Sequence, residues 1–402
     1  MESQMRLLLV THYYPEERGG IEMVAGELAS RLAAQGIRIV WAASGVSGHT
    51  PEPVPGIERL PMDGWDGVRR RFGVPLPLWT HQSMRRLCDA VADADVIHMH
   101  DTLYLGNIVA SWACRRHRRP FVVTQHTSAP HFPNPLLKLA AVSGTALVSR
   151  RILAQCDQAV FISRIVMDRF RKVHFRSQPQ FIPNGVDHDR FFPVDLAGRD
   201  QIRGERNLPL DRPVVFFAGR FIGNKGLPLI RELATEFRDC VWLFAGHGPI
   251  DPRSWNLPNV VCLGLVEPKQ IGPYYRAADL LILPSRSEGF PLVVQEALAC
   301  GIPALVTRGI TDGIPGVNDI VFEASHDFEA FRLALRGALS DRFNMCRRGE
   351  AGASFATRHF DWNECAVQYA GIFDRLSSRR RMPATLMIGE RPPLRSSAIS
   401  AS

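Results

Sequence analysis

The aliphatic run Leu280-Leu281-Ile282-Leu283 is followed three residues later by Ser287-Glu288-Gly289-Phe290-Pro291-Leu292-Val293-Val294-Gln295-Glu296-Ala297. Gly301-Ile302-Pro303 then closes the segment, and a second apolar run begins at Ala304–Val306. A short buried strand, a polar loop, a helix and another strand make up the repeating unit of a parallel sheet covered by helices. Two carboxylates stand eight positions apart in this unit. Glu288 falls in the loop at the carboxyl end of the strand, and Glu296 falls about two turns into the helix. Between them the unpaired N–H groups at the helix start favour an anion, through open donors and the helix dipole together. Pro291 has no N–H to offer. Either glutamate alone reads as a cap or a surface carboxylate. The pair in so apolar a setting reads as a site.

The same alternation continues on both sides. Upstream, strands are expected at Arg6–Thr11, Ile37–Ala42, Val96–His100, Phe121–Gln125, Gln158–Ile162 and Gln180–Ile182, with a periodic helix over Ile21–Gln35 that Gly36 ends. Around the quoted unit, further strands are expected at Val214–Gly219, Val241–Gly246 and Val260–Leu263. Pro183–Pro213, rich in Pro, Gly, Asp and Arg, reads as a connection between domains. A chain of 402 residues, 46% hydrophobic, suits two domains of about 180 residues each. The expected division is 1–185, 186–358, a helix at 359–376 crossing back to the first domain, and a flexible tail at 377–402. Ligands of open parallel sheets bind beyond the carboxyl ends of the strands, so two facing sheets imply a cleft between them.

Other residues that could do chemistry sit at those strand ends. Phe217-Ala218-Gly219-Arg220-Phe221-Ile222-Gly223-Asn224-Lys225-Gly226 places two cations five positions apart after a strand, in a chain whose only lysines are 138, 172, 225 and 269. A planar guanidinium and a compact ammonium together suit a diphosphate, although a solvated turn explains the pattern equally well in isolation. After the first strand, Gly19-Gly20 opens a helix and lets backbone amides approach an anion. It is not a dinucleotide fingerprint, because G-x-G-x-x-G is absent. His126 follows a buried strand and is expected to face the cleft, with His98 and His100-Asp101 as rival positions on the neighbouring strand. Asp93-Ala94-Asp95 precedes a strand, which argues against a metal site there.

The net charge of +8 divides unevenly: +6 over residues 1–190, −2 over 191–376 and +4 over 377–402. A basic first half carrying Arg69-Arg70-Arg71, Arg85-Arg86, Arg115-Arg116 and Arg118-Arg119 fits an anionic membrane surface or a phosphate-bearing acceptor, and fits a plainly solvated face as well. Nucleic acid is not expected, since no aromatic platform or reader motif accompanies the arginines. Eight scattered cysteines without C-x-x-C or Cys/His clusters read as free thiols in a reducing compartment. No secretory signal is expected, and the longest apolar stretch, Leu136 to Val148, is too short to span a bilayer. The expected location is cytoplasmic, with peripheral contact at the inner face of the cell membrane.

Taken together, these motifs resemble the family 4 retaining glycosyltransferases of the GT-B fold, an α/β architecture of two Rossmann-like parallel-sheet domains facing across a cleft. The likeness is carried by Gly219-Arg220 with Lys225-Gly226, Phe244-Ala245-Gly246-His247-Gly248-Pro249, Leu263-Gly264-Leu265-Val266, Glu288 to Glu296, Ile182-Pro183-Asn184-Gly185-Val186-Asp187 and Phe360-Asp361-Trp362. It implies transfer of a sugar from a UDP or GDP sugar to a hydroxyl of a glycan or lipid-linked glycan, with no cofactor and no metal. By that likeness Arg220 and Lys225 hold the diphosphate, Glu296 the ribose, Val266 the base through its backbone, and Glu288 the donor sugar. Phe290, Leu292 and Val293 belong to the same donor segment. Gly19 and Gly20 would lie near phosphate, and His126 near the reaction centre. Many relatives carry Gly where this chain has Pro291, which removes one backbone contact. A noncatalytic nucleotide-sugar-binding subunit, or an epimerase of the same fold, is the alternative.

Overall fold

The computed structural model describes residues 4–17, 19–45, 54–67, 77–126, 147–289 and 291–381. The first half contributes strands β1 (Arg6–Tyr13), β2 (Arg38–Ser44), β3 (Ile57–Met62), a small antiparallel pair β4 (Gly64–Trp65) and β5 (Leu78–Trp79), then β6 (Val96–His100), β7 (Phe121–Gln125), β8 (Gln158–Phe161) and β9 (Gln180–Phe181). Seven of these form one parallel sheet in the order β3-β2-β1-β6-β7-β8-β9. The second half contributes β10 (Val214–Ala218), β11 (Val241–Ala245), β12 (Val260–Gly264), β13 (Leu280–Leu283), β14 (Ala304–Thr307) and β15 (Phe322–Ala324). They form a second parallel sheet in the order β12-β11-β10-β13-β14-β15. In each sheet the winding reverses beside its first strand, at β1/β6 and at β10/β13. Crevices that take ligands open at such reversals.

Central strands are buried along their whole length, as β6, β7, β10 and β13 show, because helices cover both faces. Phe216, Phe217, Trp242, Phe244 and Tyr275 fill the second core. Each such side chain contributes roughly 1.5–3 kcal/mol by leaving water. The helix Gly20–Ala34 ends where Gly36 takes a φ of +89°.

Several elements depart from the sequence reading, the short strands β4, β5 and β15 among them. Strand β3 was not expected: Ile57-Glu58-Arg59-Leu60-Pro61-Met62 mixes polar residues with a proline, as only an edge strand tolerates. The stretch 183–213 contains the helix Leu196–Glu205, whose start is capped by the Asp195 carboxylate accepting from Gly198 N at 2.8 Å. Its buried Arg203 pairs with Asp279 at 2.6 Å and ties the helix to the second sheet. The helix Trp362–Arg381 runs past 376, so the ordered chain extends beyond the expected start of the tail.

That last helix lies on the first sheet, where Trp362, Tyr369, Ile372 and Phe373 pack with Leu7, Leu9 and Leu28. The chain crosses back at a parallel bridge between Val186 and Asp361, with Val186 N donating to Phe360 O at 2.8 Å. Among the described residues no helix is long and apolar enough to cross a membrane. The apolar segment 136–148 lies almost wholly outside the described residues, as do Arg69-Arg70-Arg71 and 382–402.

Candidate active site at the facing strand ends

Glycines fix the loops of the second sheet. Gly226 has a φ of +81°, and a Cβ there would stand 2.3 Å from Pro284 O; one at Gly246 would stand 1.9 Å from Gly219 O. The loop after β10 is thereby pressed onto the loop after β13, and Arg286 N donates to Asn224 O at 3.0 Å to join them. This packing brings Lys225 onto Glu288: the ammonium donates to Oε1, and Ser285 Oγ donates to the same oxygen at 2.6 Å. The two charged side chains are 20% and 13% exposed, enough burial to strengthen the pair and enough opening to admit a ligand. An ammonium carries three donors, so Lys225 keeps two for incoming oxygens.

Arg220 behaves differently. Its residue is exposed, and among the described residues its guanidinium forms no ion pair. Further along, the helix Leu292–Ala299 begins without a side-chain cap at Pro291, and among the described residues the N–H groups of Leu292 and Val293 have no partner at its start. Leu292 also packs against the core of the first lobe, and Val293 against that of the second. Two turns in, half-buried Glu296 accepts from the Tyr275 hydroxyl at 2.5 Å. Burial raises its pKa, opposed by the Tyr275 bond and by Arg190. Val266 is half-buried in the loop beyond β12. Phe290 lies outside the described residues.

In the first lobe, Gly19 precedes the helix Gly20–Ala34 with extended backbone, and a Cβ on it would fall 2.1 Å from Glu22 Oε2. A side chain at 19 would have to displace the carboxylate folded back over it. A Cβ on Gly20 would meet nothing within 4 Å. Glu22 is itself buried and pairs with His12 Nε2 at 2.8 Å. Burial alone would raise its pKa, but the hydrogen bond and charge of His12 outweigh burial and lower it.

The expectation that the His126 ring faces the cleft is corrected. Only 6% of the residue is exposed, and its Nε2 lies 2.8 Å from His100 Nδ1, inside the lobe. Its backbone N donates to Asp101 Oδ1 at 2.8 Å. His98 in turn meets Thr124 Oγ1 at 2.8 Å, and that hydroxyl meets Tyr369 OH at 2.8 Å. Burial pushes both His98 and His126 down to about 3, so the rings are neutral at pH 7.

What His126 offers the opposite lobe is its main chain. A Cβ on Gly289 would stand 2.6 Å from His126 O, with Ile162 and Val166 also against it, so the Glu288 loop is seated on the carboxyl ends of β7 and β8. Arg164 N donates to Gly313 O at 2.9 Å beside this contact. The structure thus brings Lys225, Glu288, Gly289 and the His126 backbone together, while Arg220, exposed in the loop after β10, makes no ion pair among the described residues. Glu22, His12, Ser285 and Tyr275 were not among the residues singled out; a glutamate in the first turn after Gly19-Gly20 was the one available signal. Asp93 and Asp95 bind Arg6 at the amino ends of β1 and β6, the far edge of the sheet.

The chain is similar to known proteins over both lobes. The family profile described as Glycosyltransferase Family 4 matches residues 18–190, and that described as Glycosyl transferases group 1 matches residues 212–341. The chain is 28% identical to the D-inositol 3-phosphate glycosyltransferase of Xylanimonas cellulosilytica, covering 90% of this chain and 93% of the relative. It is 26% identical to the GDP-mannose-dependent alpha-(1-6)-phosphatidylinositol monomannoside mannosyltransferase of Mycolicibacterium smegmatis, covering 93% and 99%. Among solved structures, sucrose-phosphate synthase of Thermosynechococcus elongatus superposes with a TM-score of 0.75 at 19% identity, over 94% of this chain and 100% of the other.

Proposed function

The chain belongs to the family 4 glycosyltransferases of the GT-B fold, and from that premise we propose that it moves a sugar from a UDP or GDP sugar to an acceptor hydroxyl with the anomeric configuration kept. The observation that carries the reading is the Lys225–Glu288 pair at the β10/β13 reversal, in a loop whose Gly289 sits against the His126 carbonyl of the other lobe. Cleavage of the anomeric bond leaves negative charge on the diphosphate and positive charge on the sugar. Lys225, Arg220 and the open amides of Leu292 and Val293 meet the first, and the Glu288 carboxylate borders the second. In this reading Glu296 takes the ribose, Val266 the base, and Gly20 a phosphate from the opposite lobe.

In this reading the acceptor oxygen attacks C1 from the face the diphosphate leaves. The C1–O bond to phosphate breaks with its electron pair going to the diphosphate, and the acceptor's proton passes to a phosphate oxygen. Neither a metal nor a cofactor takes part. The acceptor is a glycan or lipid-linked glycan of cell-surface polysaccharide or glycolipid synthesis, met at the cytoplasmic face of the membrane.

The test is incubation with UDP and GDP sugars and candidate acceptors, following nucleoside diphosphate release, the anomeric proton by NMR, and the effect of EDTA. Release should depend on acceptor, survive EDTA and give the donor's anomer. Glu288→Ala should keep the melting shift given by the nucleotide and lose turnover. Wild-type turnover in that variant would overturn the assignment.

A further inference from the structure

We propose that a cationic cavity on the rim between the lobes seats a phosphate group carried by the acceptor; this rests on the transferase reading above. The cavity, of about 570 Å³, is lined by Arg150 from the helix at 147–155, Arg164 and Arg169 from the helix Arg164–Arg169, and Arg171 and Lys172 just beyond. Two carboxylates share it, Asp168 from the same helix and Asp312 from the second lobe.

Five cations against two carboxylates leave a formal charge of +3 in one cavity. Among the described residues none of the five forms an ion pair, although arginines elsewhere do: Arg203 pairs with Asp279, Arg190 with Asp187, and Arg332 with Glu329. Asp312 is engaged instead by Asn318 Nδ2 at 2.6 Å. All five residues are exposed, so an anion can reach them from solvent, and one with several acceptor oxygens matches the guanidinium forks while offsetting the surplus positive charge.

Position selects the acceptor over the donor. Val166, on the same short helix, touches the Gly289 position, and Arg169 follows it by three residues, roughly 4.5 Å along the axis. Asp312 precedes Gly313, whose carbonyl accepts from Arg164 N. The cavity thus shares its helix with the residue that meets Gly289 and is built mainly from the first lobe, whereas Lys225 and the helix start that suit a diphosphate belong to the second. A second basic cavity, with Arg115, Arg118 and Arg119, lies at Pro120 and Phe121, the amino end of β7, away from any of these groups. It provides an internal control.

The experiment compares the full-length wild type with Arg169→Gln/Arg171→Gln and with Arg115→Gln/Arg118→Gln, which remove the same charge from the two cavities. Probes are inositol, a soluble inositol phosphate, and phosphatidylcholine vesicles with and without phosphatidylinositol. Wild type should bind a phosphate-bearing probe and not inositol. The first variant should bind it about tenfold more weakly, and the control variant as wild type does. Binding of the soluble phosphate identifies a free phosphate ester as the source, and binding of the vesicles alone identifies a lipid headgroup. Wild-type binding by the first variant, equal weakening in both variants, or no phosphate probe binding to wild type would each overturn the proposal. A nucleotide melting shift retained in all three proteins keeps the donor site out of the result. Its absence from wild type would defeat the transferase reading itself, whatever the phosphate probes do.

Discussion

Replacing Lys225 by Met separates what the ion pair does for the fold from what the ammonium does for turnover. The substitution keeps an unbranched chain of similar length and leaves Glu288 with Ser285 as its one remaining donor in the described site. At 20% and 13% exposure the pair is partly screened, so its loss should cost about 1–2 kcal/mol, the low end for a hydrogen bond to a charged group. A domain with about 5–15 kcal/mol of stability stays more than 99% folded after such a loss. Turnover should fall much further. A preorganised donor aimed at charge that develops in the transition state is worth about 100- to 1,000-fold, or roughly 2.7–4 kcal/mol. The assay pairs urea unfolding with kcat at saturating donor. Lys225→Arg should recover part of the stability and less of the rate, since a planar fork cannot replace a point charge in the space bounded by Pro284 and Ser285. If Lys225→Met turns over within about threefold of wild type, the ammonium does not stabilise the leaving group and the mechanism fails at its central step.

Buried neutral histidines make the protein sensitive to mild acid. His98 and His126 sit near 3 when folded and near 6.5 when unfolded, so between those values the unfolded chain binds the extra protons and stability falls as pH drops. Each contributes a slope of up to about 1.4 kcal/mol per pH unit, fully retained above about 6.5; urea unfolding at about pH 7 and about pH 5.5 should show it, and His126→Asn should flatten it. A wild-type stability that does not change over that interval would contradict the buried neutral assignment. Two glycine variants should behave in opposite ways. Gly226→Ala forces a Cβ to within 2.3 Å of Pro284 O at positive φ and should cost more than about 1–2 kcal/mol, lowering the melting temperature by several degrees. Gly20→Ala meets open space and should leave melting unchanged while reducing the shift given by the nucleotide; an undiminished shift would remove Gly20 from the donor site.

Strands at the middle of the second sheet were legible because burial on both faces demands unbroken apolar runs, and β10, β11 and β13 occupy the residues that pattern marks. Legibility faded toward the edges. Strand β3 alternates half-buried and exposed positions around Pro61, and β15 has three residues, so neither carries enough apolar signal to stand out from a loop. The helix Leu196–Glu205 was hidden for another reason. Gly198 and Gly204 depress its propensity, and its hold on the second lobe depends on Arg203 reaching Asp279, 76 positions away.

In the site, residue types were legible and pairings were not. A glycine before a helix signals that a side chain is excluded, but an incoming phosphate and a folded-back carboxylate exclude the same methyl group; only the position of Glu22 distinguishes them at Gly19. His126 poses the same problem through strand geometry. Side chains alternate across a strand, so His126 extends the face of Val122 and Thr124. That face is covered by the helix Trp362–Arg381, where Tyr369 reaches Thr124 from 245 residues away. A ring on the covered side turns inward to His100, and the part of residue 126 left to face the other lobe is its carbonyl. Parity along β7 was available in the sequence, but which face would be roofed was decided by the last helix of the chain. For that reason the residue after β7 contributes its backbone to the contact between the lobes and its imidazole to the interior of the first lobe.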